Sequence, residues 1–227
     1  MTSLFPGVGT ENCTIDHNLF DAVGGNGVFL TDYNRHALIT ANGKSKFTKA
    51  LSAVACDLWV FFDRLRVSIE MRHIGENGVA MRGSTEWVDG RGGNQPRFNT
   101  IDGNLIHHLG LYTKQSCAIF SAVSCQNTIT HNIMFHGPRA LVNMNDGFGG
   151  DTLIESNLFF ASLLETSDHG PYNSWDRLPF LTDVKFQNGT GSISLAFNRL
   201  VSNFFFTGSP YSIDTDDGLT WSTPPRT

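Results

Sequence analysis

Ile101-Asp-Gly-Asn104-Leu-Ile106, Ile129-Thr-His-Asn132-Ile-Met134 and Ile154-Glu-Ser-Asn157-Leu-Phe159 are one pattern written three times. In each, an apolar residue stands three positions before an Asn and another stands two positions after it. Related copies occur at Ile15-Asp-His-Asn18-Leu-Phe20, at Ile39-Thr-Ala-Asn42 and at Leu195-Ala-Phe-Asn198-Arg-Leu200. Where copies are adjacent, the Asn positions differ by 24, 28 and 25 residues, close to one turn of a parallel β-solenoid. Each repeat then supplies short strands whose apolar side chains share an interior, and the Asn takes the bend between two strands. Asn suits a bend because its short amide tolerates left-handed backbone angles and bonds to the main chain. Stacked from coil to coil, such amides also bond to one another.

A second internal match exposes an irregularity. Ala22-Val-Gly-Gly-Asn-Gly-Val-Phe29 resembles His73-Ile-Gly-Glu-Asn-Gly-Val-Ala80, with Asn26 opposite Asn77 at an offset of 51 residues. One coil accounts for about 24 of these and leaves roughly 27 in excess between Asn42 and Ile74. Residues 43–71 supply the excess: after Gly43 they hold neither Gly nor Asn, and Leu51, Val54, Leu58, Phe61, Phe62 and Leu65 recur near helical spacing. The stretch reads either as a short helical insert on the flank or as foreign sequence such as a retained intron, and its apolar middle favours the second.

With 227 residues, 40% of them hydrophobic, the chain has enough apolar material for one core and reads as a single domain over 1–227. Both ends read as cut: the chain opens inside a repeat, and Ser222-Thr-Pro-Pro-Arg-Thr227 offers no polar cap. The 23 glycines and 18 phenylalanines against 16% charged residues point to all-β structure with tight turns. Net charge is -5 with no run of Lys or Arg, which argues against nucleic acid or an anionic membrane as partner. Cys13, Cys56, Cys117 and Cys125 lack metal-ligand spacing and read as free thiols, although Cys117 and Cys125 leave a pairing open. No leader and no apolar run of about 18 residues is present, so the protein reads as intracellular or as lacking its true start. Asn12-Cys-Thr14 and Asn188-Gly-Thr190 are compatible with secretion.

The candidate chemistry lies in two clusters, Asn145 with Asp146, and Glu165, Asp168, His169, Asp176 and Arg177. Asp146 and Asp168 are 22 residues apart, about one coil, which would bring both to one face. Neighbouring parallel strands lie about 4.8 Å apart, close to the carboxyl separation of retaining glycosidases, roughly 5 to 5.5 Å. One Asp is then the nucleophile and the other the acid/base, its pKa raised by the like charge beside it. Lys114, Arg139 and Arg177 suit sugar hydroxyls or a uronate carboxylate, Trp175 suits a pyranose face, and His169 a proton relay. Asp214, Asp216 and Asp217 form an acidic group that completes the cleft or holds a cation.

The repeat resembles the right-handed parallel β-helix of pectate lyases, and right-handed parallel crossovers are the rule. From Ile74 to Trp221 the chain resembles β-helix proteins related to glycoside hydrolase family 141. The resemblance is carried by Lys114-Gln115, Ser124-Cys-Gln126, Gly137-Pro-Arg-Ala140, Asn143-Met-Asn-Asp-Gly-Phe-Gly-Gly150, Glu165-Thr-Ser-Asp-His-Gly-Pro-Tyr-Asn-Ser-Trp-Asp-Arg177 and Ile213-Asp-Thr-Asp-Asp-Gly218. Leu141, Leu164 and Ser167 depart from that group. The resemblance implies a monomeric, cofactor-free hydrolase acting on a polysaccharide or oligosaccharide. A polysaccharide lyase or uronate epimerase, and a non-catalytic glycan-binding solenoid, are the alternatives.

Overall fold

The computed structural model describes residues 13–31, 38–40, 69–84, 95–145, 150–175, 180–181, 194–195 and 197–216. Strands come in threes, one triplet per coil. The first coil holds β1 (Thr14–Asp16), β2 (Leu19–Asp21) and β3 (Val28–Thr31), the second β4 (Leu38–Thr40), β5 (Glu70–Arg72) and β6 (Val79–Arg82). The third holds β7 (Thr100–Asp102), β8 (Leu105–His107) and β9 (Ile119–Ala122), the fourth β10 (Thr128–Thr130), β11 (Ile133–Phe135) and β12 (Val142–Asn145). The fifth holds β13 (Leu153–Glu155), β14 (Leu158–Phe160) and β15 (Tyr172–Trp175). A short antiparallel pair, β16 (Phe180–Leu181) with β17 (Ser194–Leu195), precedes the sixth coil of β18 (Arg199–Val201), β19 (Phe204–Phe206) and β20 (Ile213–Thr215).

Like strands of successive coils pair in parallel, giving three six-stranded sheets: sheet I (β1-β4-β7-β10-β13-β18), sheet II (β2-β5-β8-β11-β14-β19) and sheet III (β3-β6-β9-β12-β15-β20). The fold is an all-β parallel β-helix, and no helix occurs among the described residues. Its register is that of the repeat. Ile15, Ile39, Ile101, Ile129, Ile154 and Leu200 form one continuous column through sheet I. Phe20, Met71, Ile106, Met134, Phe159 and Phe205 form the matching column in sheet II. Val28, Val79, Ile119, Val142 and Tyr172 close the interior from sheet III. Fully burying each such side chain is worth about 1.5 to 3 kcal/mol, so the interior columns dominate the stability.

Between sheets I and II the chain turns in two residues in every coil but the second. The first is left-handed at His17, Gly103, His131, Ser156 and Ser202, with φ of 54°, 67°, 54°, 55° and 52°. The second is the repeat Asn. Asn104, Asn132, Asn157 and Asn203 stack into a ladder: each side-chain Oδ1 from Asn132 onward accepts both the N–H and the Nδ2 of the Asn one coil earlier, at 2.9 to 3.0 Å. Each Nδ2 also donates to the carbonyl of the column residue in the coil before, as Asn132 does to Ile101 and Asn157 to Ile129.

Two expectations change. The sixth copy is Leu200-Val-Ser-Asn203-Phe-Phe205, five residues later than the match at Leu195. Leu195 belongs to the antiparallel pair, and Asn198 serves a different corner, where its Oδ1 accepts Thr152 N–H at 3.1 Å. The irregular stretch ends earlier than residue 71, because Ile69 is fully buried and Glu70 and Met71 already lie in β5, paired with β2 and β8. Residues 43–68 lie outside the described residues. Cys13, Cys117 and Cys125 are free thiols, and burial pushes Cys117 up to about 12. Cys56 is outside the described residues.

Candidate active site

The connections from sheet II to sheet III are six residues long in coils one, two, four and six and eleven long in coils three and five. The two long corners flank coil four, and the three neighbouring corners hold five of the candidate residues. Lys114 lies on the corner of coil three, Arg139 on that of coil four, and Glu165, Asp168 and His169 on that of coil five. The coil-five corner lies directly on its neighbour: the N–H groups of Leu163, Leu164 and Glu165 donate to the carbonyls of Arg139, Gly137 and Pro138 at 3.1 to 3.2 Å. Leu141 and Val142 in turn donate to Pro171 O. On the other side Gly170 packs so closely on coil six that a Cβ there would stand 2.8 Å from Tyr211 O, which is why only glycine fits.

His169 is buried at the centre of the group, 5% exposed. Its Nδ1 lies 3.1 Å from Asp214 Oδ2 on β20, and its Nε2 is in direct contact with Arg139 Nη2. An Arg nitrogen only donates, so Nε2 is the acceptor and the proton sits on Nδ1, donated to Asp214. Asp168 Oδ2 stands 3.5 Å from the same Nε2 and 4.0 Å from Arg139 Nη2, and its side chain is 64% exposed. Three successive coils thus contribute one side chain each to a single imidazole: Arg139 behind, Asp214 ahead and Asp168 toward solvent.

The outer face of sheet III continues the site. Val142 and Met144 point into the core, so Asn143 and Asn145 project outward. Asn143, Asn173 and Asp214 are in register, and Asn173 Nδ2 donates to Asn143 Oδ1 at 3.0 Å. Asn145 is in register with Trp175 at the strand ends. Lys114 Nζ and Glu165 Oε1 form an ion pair at 2.8 Å that links the corners of coils three and five across coil four.

The register corrects the spacing behind the Asp146–Asp168 pair. Along sheet III the step from coil four to coil five is thirty residues, Val142 opposite Tyr172 and Asn145 opposite Trp175, rather than 22. Asp168 therefore occupies the level of Pro138, ahead of the strands, whereas Asp146 follows the end of β12. The extra length of the coil-five corner is the physical cause. Asp146, Asp176 and Arg177 themselves lie outside the described residues, as does Asp217. Among the described residues no group of three or more His, Cys, Asp or Glu side chains is arranged to hold a metal ion, and Asp214 bonds to His169.

The sequence reading missed the direct partnership of His169 with Asp214 and the Asn143–Asn173 pair. The thirty-residue offset that joins Arg139 to His169 was present as the parallel between Leu141-Val-Asn143 and Pro171-Tyr-Asn173. The reading also passed over a second imidazole group, His73, His107, His108 and His136, at the start of the same corner in coils two to four. The chain matches no known protein family, no curated protein and no solved structure.

Proposed function

We propose that the protein is a polysaccharide-active enzyme that works on the outer face of sheet III in coils four to six, and that the reaction is hydrolysis. The observation that carries the reading is His169, held between Asp214 and Arg139 with exposed Asp168 at its free edge. A long polymer suits a face built from repeated coils, and the partly exposed Asn145 and Trp175, in register at the strand ends, offer a hydroxyl-bonding and a stacking group along it, with the buried Asn143–Asn173 pair beneath. Asp168 is the proposed acid that protonates the leaving oxygen, with Arg139 Nη2 the cation beside it. Asp146, the next residue in sequence after β12, is the proposed second carboxylate. The motifs similar to glycoside hydrolase family 141 support the same reading, since those at Lys114-Gln115 and at residues 137–140 and 165–171 fall on the corners that build the cluster.

A second reading is favoured by the tautomer of His169. A uronate carboxylate that draws Arg139 away from Nε2 would leave that unprotonated nitrogen to remove the neighbouring proton, the chemistry of a lyase or an epimerase. Mass spectrometry of products from neutral and uronate-containing polysaccharides separates these outcomes. Shortened chains that have gained water support hydrolysis. Unsaturated ends move the chemistry to elimination, and retained, unaltered glycan leaves only binding. Full cleavage by Asp168→Asn would remove Asp168 from the chemistry.

A further inference from the structure

We infer that residues 43–69 are an addition to a coil that is complete without them, and that the chain joining Asn42 directly to Glu70 is the form for which the ladder was built. The corner between sheets I and II is two residues long in five coils, and only in coil two does it span residues 41–69. Two residues of that corner are what every other coil uses, which leaves 27 over.

The local geometry fixes which two belong. Ile69 stands where the ladder Asn stands elsewhere: its carbonyl accepts Leu105 N–H at 3.0 Å, as Asn104 O accepts from Ile133, Asn132 O from Leu158 and Asn157 O from Phe204. An isoleucine offers no side-chain donor. Asn104 Oδ1, which in every later rung accepts two N–H bonds from the preceding Asn, is accordingly buried without a partner. An unsatisfied buried carbonyl of this kind is a recurrent cost in native structures and calls for a cause.

The sequence supplies the missing rung at the other end of the addition. Ile39-Thr-Ala-Asn42 carries the repeat up to its Asn, with Ile39 in the sheet I column and Asn104 Nδ2 donating to its carbonyl at 3.2 Å. From Glu70 onward the pairing with coils one and three is unbroken. Joining Asn42 to Glu70 gives Ile-Thr-Ala-Asn-Glu-Met-Arg-His-Ile-Gly-Glu-Asn-Gly-Val, which aligns without a gap on Ile15-Asp-His-Asn-Leu-Phe-Asp-Ala-Val-Gly-Gly-Asn-Gly-Val28. Ala41 then takes the left-handed position that His17, His131, Ser156 and Ser202 take, and Asn42 offers its N–H and Nδ2 to Asn104 Oδ1. Whole codons separate the two ends. A Gly43-Lys44 pair is encodable with a splice donor after its first base, and an Ile69-Glu70 pair with an acceptor ending on the first base of the Glu codon, so removal keeps the frame and leaves Glu after Asn42.

Thermal unfolding of the full chain, of the chain lacking 43–69 and of the shortened chain with Asn42→Ala tests this, together with sequencing of the messages from the source gene. The expected result is a Tm higher by several degrees in the shortened chain, because a buried acceptor regains its partners, and loss of that gain with Asn42→Ala. Messages lacking these 27 codons are also expected. A shortened chain that melts at or below the full chain, or fails to fold where the full chain folds, overturns the inference. So does an Asn42→Ala change without effect in the shortened chain. If neither protein folds, the messages decide: transcripts that all retain the 27 codons overturn it.

Discussion

The corner between sheets I and II and the corner between sheets II and III are built on opposite principles. The first is two residues long in five of six coils, and each Asn repeats the bonds of the last. The second is six residues long in four coils and eleven in two, and apart from the Asn26–Asn77 pair and the imidazoles at its start, successive coils place different side chains there. A constant corner lets identical groups stack, and stacking turns each amide into the partner of the next, which is a device for stability. A variable corner breaks the stack and frees its side chains to meet other kinds, as Arg139, His169 and Asp214 do. The molecule keeps the stacked ladder and the proposed chemistry on separate edges.

The sharpest way to break that contrast is to damage the variable edge and look for a change in activity without a change in stability. Asp168→Asn is expected to lower turnover by roughly 100- to 10,000-fold, the usual weight of a positioned acid or base. Its exposure means the melting temperature should barely move. A parallel fall in stability would show that Asp168 is a structural group and not a catalytic one.

The converse damage belongs to the ladder. Asn132→Ala removes the acceptor of Asn104 N–H and Nδ2, and the donors to Ile101 O and to Asn157 Oδ1, all of them buried. Several orphaned groups at about 1 to 3 kcal/mol each, partly relieved by relaxation, should destabilise the fold by about 3 kcal/mol in urea unfolding. Asn18→Ala, at an exposed position of the first coil, should cost under about 0.5 kcal/mol. Equal effects at the two sites would mean that the ladder bonds add nothing beyond the turn itself.

The same contrast explains what could be read from the chain. Ile-x-x-Asn-x-apolar was legible because the constant corner enforces one spacing, so parallel pairing and the interior columns followed from it. It failed at Leu195, where a chance match lies five residues from the true copy at Leu200, since a four-residue motif cannot sense which strand a residue joins. The candidate site was legible only as clusters of residue types. Pairing Asp146 with Asp168 assumed that a coil has one length, and the eleven-residue corner of coil five removes that assumption. The tie between His169 and Asp214 spans 45 residues with no fixed period to reveal it.

Between the two extremes stands the imidazole group at the start of the variable corner. His107 Nε2 lies 3.1 Å from Glu70 Oε1, His107 Nδ1 lies 2.6 Å from His108 Nδ1, and His136 Nδ1 lies 3.0 Å from His108 Nε2. With Glu70 ionised and the rings neutral, one assignment satisfies all three contacts: His136 donates to His108, His108 to His107 and His107 to Glu70. Desolvation lowers His107 and His108 to about 4, with neighbouring histidines adding to the effect, and raises Glu70 above its ordinary value. Folded pKa values below the unfolded 6.5 mean that the unfolded chain binds more protons in between, so the contribution of these two rings is full above pH 6.5 and is lost as pH drops toward about 4, whereas the raised Glu70 acts in the opposite sense. Asp21, held down to about 2 by Arg72 and His73, adds a further loss only as pH falls below 3.8. Imidazole NMR titrations should place His107 and His108 near pH 4, and midpoints near 6.5 would show that the chain of rings is open to water.

The smallest effect is expected where the variable corner most looks like a structural device. Lys114 and Glu165 join the corners of coils three and five, and a link across an intervening coil invites the reading of a clamp that holds the site in shape. Both side chains are nearly half exposed, however, and an exposed pair gains little over its hydrated partners while immobilising two long side chains. A double-mutant cycle of Lys114→Ala and Glu165→Ala should therefore give a coupling of about 0.5 kcal/mol or less, and salt should reduce it further. The backbone bonds from Leu163, Leu164 and Glu165 to the coil-four corner already fix this loop without the ion pair. If the two residues serve polysaccharide binding instead, each single change should raise KM while leaving kcat in place, because a group that holds the polymer equally in ground and transition states does only that. A coupling well above 1 kcal/mol with KM untouched would make the pair a clamp after all, and would move part of the molecule's rigidity onto the edge that carries its chemistry.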